Sequence, residues 1–124
     1  MPAALRAEWK GLKEYGEMVK RLPEELQKEA KGILSEGGHA GLQHSSAVVP
    51  VKTGRLRGSL RLRQEFGLRT VLSADTPYAR FVEFGTRKMR AQPYLRPGLQ
   101  RAVDYIRENW DKRIAPALRQ LGWK

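Results

Sequence analysis

Between Leu60 and Phe66 the apolar residues Leu60, Leu62 and Phe66 alternate with the charged residues Arg61, Arg63 and Glu65. Successive side chains of a strand point to opposite faces, so this run reads as a strand with one apolar and one charged face. A face that carries Arg61 and Arg63 cannot be core, and it would present an arginine row to solvent or to a groove that binds nucleic acid or a subunit. A short turn at Gly67-Leu68 leads into Thr70-Val71-Leu72-Ser73-Ala74, rich in β-formers, so the two runs predict an antiparallel hairpin. A two-stranded hairpin is marginal alone, and a further strand is therefore expected from elsewhere in the chain or from a neighbouring subunit.

On both sides of the hairpin the apolar period changes to that of helices. Leu5, Trp9, Leu12 and Val19, with Tyr15 between them, share one helical face, which predicts a first helix over Ala3 to Lys20. Pro23, followed by Glu24 and Glu25, suits the first turn of a second helix whose stripe is Leu26, Ala30, Ile33 and Leu34. Gly32, Gly37, Gly38 and Gly41 each cost up to about 1 kcal/mol in a helix interior. That helix either stops near Glu36 or runs to about Ser46, with the glycines permitting close packing. Thr53-Gly54-Arg55-Leu56 predicts a capped helical turn, with Thr53 supplying the capping hydroxyl. Asp75 or Thr76 is expected to cap a short helix with Pro77 in its first turn, burying Tyr78, Phe81, Val82 and Phe84 before Gly85 stops it. Arg87 to Gln92 reads as a basic connection, with Pro93 and Pro97 at the entry to a last helix. Its stripe is Leu99, Val103, Ile106, Trp110 and Ile114, then Leu118 and Leu121 past a kink expected at Pro116. The fold class is α+β: one domain over 1–124, a small antiparallel sheet packed against N-terminal and C-terminal helices.

The net charge is +11, and its distribution is uneven. Through Val49 the chain has 7 basic and 7 acidic residues, and after it 17 basic against 6 acidic. Arginine dominates the second part, and its guanidinium forks bind phosphate or carboxylate oxygens bidentately. The first twenty residues are interrupted by charges and no stretch approaches the roughly 18 apolar residues of a membrane span, so no signal peptide and no membrane partner are expected. The chain has no Cys, which removes disulfides, thiolate nucleophiles and cysteine-ligated metals.

Little else in the sequence carries reaction chemistry. His39 and His44 are not on one helical face and lack a carboxylate partner at ligand spacing, so no metal is expected. Lys52-Thr53-Gly54 matches the KTG element of penicillin-binding enzymes, but no Ser is followed three residues later by Lys. Phosphate-loop, dinucleotide and nucleophile-elbow motifs are absent. Glu83, among many arginines, reads as an ion-pair partner rather than a general acid. Trp9 and Trp110 fit core stripes rather than base stacking, the role of Trp123 stays open, and Tyr94 beside Arg96 is a stacking candidate. These readings predict no enzyme and no cofactor.

Three motifs follow in order: VPVKTGRLRGSLRLR from Val49 to Arg63, YARFVEFGT from Tyr78 to Thr86, and AQPYLRPGLQ from Ala91 to Gln100. Together they resemble the tail-completion, or head-tail joining, proteins of long-tailed phages, the group similar to the lambdoid minor tail protein Z. The residues carrying the likeness are Thr53, Gly54, Leu56, Ser59, Tyr78, Glu83, Gly85, Thr86, Pro93, Leu95, Arg96 and Pro97. The resemblance implies a structural virion protein of the neck or tail, present in the host cytoplasm during assembly. It also implies a homo-oligomeric ring, of six copies by analogy, around the DNA passage, with other neck and tail proteins as partners. On that reading Arg61, Arg63, Arg87, Lys88 and Arg90 face a partner ring or DNA. The alternative is a free-standing basic nucleic-acid-binding protein, favoured by a pI of 10.4 but without a helix-turn-helix, zinc-finger or RNP signature. A small nuclease, the third reading, lacks a carboxylate cluster.

Overall fold

The computed structural model describes residues 5–7, 10–50, 54–65 and 69–122. Its sheet has three antiparallel strands, β1 (Leu5–Ala7), β2 (Arg61–Glu65) and β3 (Arg69–Ala74), in the order β1-β3-β2. The alternation around Leu62 is realised as β2, with Leu62 opposite Leu72 and Arg63 opposite Val71. The proposed turn at Gly67-Leu68, and Phe66, lie outside the described residues. The expected third strand comes from the chain itself: Leu5, Arg6 and Ala7 pair with Ala74, Ser73 and Leu72. Those residues were expected to open the first helix, which instead is α1 (Lys10–Arg21). Leu5 fits a helical stripe and a strand equally well, and pairing with the central strand decides for the strand.

The second helix takes the longer of its two predicted courses. It is α2 (Glu24–Val48), continuous through all its glycines, and it packs along α5 (Leu95–Asn109). The reason is close approach. A Cβ at Gly41 would stand 2.6 Å from the Gly98 carbonyl oxygen, and one at Gly98 would stand 2.7 Å from that of Gly41 and collide with the Ser45 hydroxyl. A Cβ at Gly37 would collide with Ile106. The propensity cost of these glycines is offset by burying Ile33, Leu34, Leu99, Ala102, Val103 and Ile106 in one core; full burial of a large aliphatic side chain contributes about 1.5–3 kcal/mol. On the sheet side, Leu62 and Thr70 close over Gly38.

The segment after α5 departs from the expected kink. Trp110–Ile114 is π-helical, with the Ala115 N–H bonded to the Trp110 carbonyl, and the chain then continues as α6 (Ala115–Gln120). Widening the turn ahead of Pro116 relieves the clash that a proline ring makes with the carbonyl four residues back. Trp110 is buried against Tyr15, with ring centroids 5.2 Å apart, as the stripe predicted. Leu121, expected to extend that stripe, is exposed. Trp9 and Trp123 lie outside the described residues. Arg113 ties the π-helical segment back to α2 through Glu29 and Glu36. No helix among the described residues is long and apolar enough to cross a membrane.

Candidate assembly surface

Between the sheet and α5 the chain forms two short helices, α3 (Arg55–Gly58) and α4 (Ala79–Phe84). The N-cap of α3 is Gly54, at a φ of 80°, with no side-chain cap bond; Thr53, expected to cap it, lies outside the described residues. The Arg57 Nε–H donates to the Ser46 carbonyl at 2.9 Å, fastening α3 to the end of α2. Ser59 joins α3 to the end of β3: its hydroxyl donates to the Leu56 carbonyl at 2.8 Å and accepts the Asp75 N–H at 3.0 Å.

The short fourth helix is not built as expected. Its N-cap position is Tyr78 rather than Asp75 or Thr76, no side-chain cap bond forms, and Pro77 precedes the helix. The face turned inward carries Ala79 and Glu83, while Phe81 and Phe84 are 50% and 55% exposed. Residues three or four apart share a helical face, so Ala79 with Glu83 and Phe81 with Phe84 form opposite pairs. The interior takes the first pair because Glu83 has a task there.

Glu83 is 1% exposed and caps the start of α5. Its Oε1 accepts the N–H groups of Tyr94 at 3.0 Å and Leu95 at 2.7 Å, and its Oε2 accepts the Arg96 N–H at 3.3 Å and Nε–H at 2.9 Å. These backbone donors have no partner within the helix, and the helix dipole favours a negative charge beside them. Burial pushes the Glu83 pKa up, but the Tyr94 N–H, the Arg96 guanidinium and the remaining N–H groups outweigh it, so the carboxyl is held below its ordinary value. The predicted ion-pair role is thus realised with Arg96. That guanidinium also donates to the Glu83 carbonyl at 3.0 Å and lies 5.0 Å from the centre of the Phe84 ring.

Tyr94, a stacking candidate from sequence, is fully buried. Its hydroxyl donates to the Ala79 carbonyl at 2.8 Å, and its own carbonyl accepts the Ser45 hydroxyl at 2.6 Å. Burial, with the Glu83 charge and Tyr78, pushes its pKa well up. Ser45 was missed by sequence reasoning. Its signal was a small polar residue one helical turn beyond Gly41 on the same face.

Gly85 ends α4 at a φ of 79°, and a Cβ there would stand 2.7 Å from the Ala91 nitrogen. Thr86 then folds the basic connection into a tight turn. Its N–H donates to the Met89 carbonyl at 2.8 Å, and its hydroxyl accepts the N–H groups of Lys88 at 3.2 Å and Met89 at 3.0 Å. Arg87, Lys88 and Arg90 are exposed on this turn, which the Gln92 N–H returns to the Val82 carbonyl at 2.8 Å. Pro93 and Pro97 flank the Tyr94 N-cap and first turn of α5, where Leu95 is buried.

Three of the motif residues, Gly54, Leu56 and Tyr78, meet at one place, while Ser59 lines a different hollow. A cavity of about 320 Å³ opens between α3, α4 and the 86–92 turn, lined by Gly54, Leu56, Tyr78, Val82, Met89 and neighbours. With Phe81, Phe84 and Met89 exposed on α4 and the turn, this corner has an apolar character. Arg61 and Arg63 stand elsewhere, on the exposed face of β2, and the hollow they line includes none of Arg87, Lys88 or Arg90. His39 and His44 are exposed on α2, and no group of metal-binding side chains occurs among the described residues.

The fold is a small α+β domain with Gly54, Leu56 and Tyr78 of the first two motifs at one apolar surface corner. Residues 13–85 match the family model HK97-gp10-like, described as "Bacteriophage HK97-gp10, putative tail-component". That span is more than half of the chain, and the chain belongs to this family of phage tail components, which makes it a virion protein. The match takes in the first two motifs up to Gly85. No curated protein and no solved structure matches the chain.

Proposed function

We propose that this tail component acts in head-tail joining or tail completion, as a ring of six copies around the DNA passage and without catalysis. The observation that carries this reading is the convergence of the family-motif residues Gly54, Leu56 and Tyr78, with Met89, on an apolar cavity beside α4, where Phe81 and Phe84 are exposed. A ring closes through heterologous contacts, in which one patch of a subunit meets a different patch of the next. A rigid apolar corner suits one half of such a contact. Arg87, Lys88 and Arg90, on the turn that rims the corner, face the neighbouring ring or DNA.

Light scattering across a concentration series tests the ring. Six copies of a 14.1 kDa chain give roughly 85 kDa, a mass expected to persist on dilution. A monomeric mass at every concentration, with no change when purified tails are added, overturns the ring. Charge neutralisation of Arg87, Lys88 and Arg90 is expected to weaken assembly with the fold intact; unfolding instead overturns their assignment.

A further inference from the structure

We propose that the outward face of the sheet holds an oxyanion site, a hollow of about 310 Å³ between α3, β2 and β3 that takes a phosphodiester of a nucleic-acid backbone. Its wall brings Arg55 of α3 together with Arg61 and Arg63 of β2, Ser73 of β3 and the Asp75-Thr76 corner. The arginines come from the consecutive elements α3 and β2, and the fold adds Ser73 of β3 and the Asp75-Thr76 corner to them.

Preorganisation makes this more than a solvated basic face. One Arg61 Nη donates to the Gly58 carbonyl at 2.7 Å and the Leu60 carbonyl at 2.9 Å, which holds the guanidinium in place through neutral acceptors. Further N–H groups of the fork remain for a ligand. Among the described residues, no carboxylate pairs with Arg61 or Arg63. By contrast, Arg96 and Arg113 are both engaged with glutamates.

The geometry and the charge favour phosphate. Arg61 and Arg63 are two residues apart on one strand face, a spacing of about 6.6 Å at the usual rise, short enough to grip one phosphate or two consecutive ones. Among the described residues of the wall, Asp75 is the one carboxylate, beside Arg61 and Arg63. A partner's carboxylate would fit a guanidinium fork too. The net charge of +11, however, attracts a polyanion along its whole length, a gain that a single carboxylate does not share. The hollow is complete within one chain and does not depend on the ring.

The test measures binding of a fluorescein-labelled DNA duplex by anisotropy over a salt series, with NMR titration of the arginine Nε–H and backbone amide signals by inorganic phosphate. The wild-type protein is expected to show saturable phosphate shifts at Arg61, Arg63 and Thr76. Duplex binding by R61A/R63A is expected to fall at least about tenfold and its log-log salt slope to become shallower by about 2, the loss of two phosphate contacts. R61K/R63K keeps the charges but not the forks, and is expected to retain the slope while losing the saturable phosphate shifts. An R61A/R63A variant with unchanged melting temperature and unchanged slope overturns the site. So does displacement of the duplex by polyglutamate at lower charge concentration than by polyphosphate of matched length, which would assign the hollow to a protein partner. The light-scattering mass is read on the same samples, so a failed ring and a failed site are told apart.

Discussion

The contact between α2 and α5 and the corner around α4 are built on opposite principles. At the first, Gly41 and Gly98 remove side chains so that backbones meet, and the helices have no room to adjust. At the second, Glu83 organises backbone donors and a guanidinium into a rigid frame that leaves Phe81, Phe84 and Met89 in solvent. One region excludes everything; the other holds apolar groups outward. The two share Tyr94, whose carbonyl is bonded to Ser45 beside the glycines and whose N–H is bonded to Glu83. Stability and the presentation of the outer surface are therefore linked through one residue, and substitutions should separate them.

The largest effect is expected at the close approach. Gly98→Val places branched carbon against Ser45 and the Gly41 carbonyl, where backbone cannot yield, and is expected to cost about 3 kcal/mol or more in a chemical-denaturation midpoint. Glu83→Ala comes next. It strands the first donors of α5 and is expected to cost about 2 kcal/mol, with loss of protection of the Tyr94 and Leu95 amides in hydrogen exchange.

Glu83 and Tyr94 give the frame opposite pH limits. The folded-state pKa of Glu83 is lowered, so its contribution is complete above the ordinary carboxyl value of 4.5 and is lost as pH falls through the folded value. Glu83→Gln is expected to flatten that acid limb of the melting temperature. Tyr94 is raised, so its contribution is complete below the ordinary value of 10.0 and is lost as pH rises toward the folded value; Tyr94→Phe is expected to remove this alkaline limb. The smallest change in stability is expected for Phe81→Ser, within about 0.5 kcal/mol, because the ring is half in water. If the corner mates with another subunit, the same substitution abolishes assembly in a tail-reconstitution assay.

What the sequence made legible follows the reach of each signal. The strand alternation and the Ile106-Trp110-Ile114 stripe are local, and both led to elements that are present. The course of α2 was left open because the cost of its glycines is local, whereas the compensation comes from Gly98 and Ile106, distant in the chain. Leu5 was read as helical because three residues cannot establish a period. At α4, apolarity was equated with burial: Phe81 and Phe84 look like core, and only the demand of the α5 start for a carboxylate turns Glu83 inward in their place. Arg61 and Arg63 were visible as a row, but the hollow they share with Arg55 and Thr76 needed the fold.

The π-helical turn at Trp110–Ile114 also resets the phase of the last helix. From Leu99 the inward residues run Leu99, Val103, Ile106, Trp110, Ile114 and Leu118, so that the last three steps are all of four residues. In a uniform α-helix each such step overshoots a full turn by about 40°. Removing one residue between Trp110 and Ile114 would restore alternating steps of four and three, the rhythm of an uninterrupted amphipathic helix. The turn thus has the geometry of one extra residue in an α-helix, and it keeps Trp110, Ile114 and Leu118 on the inward face while giving the Pro116 ring room.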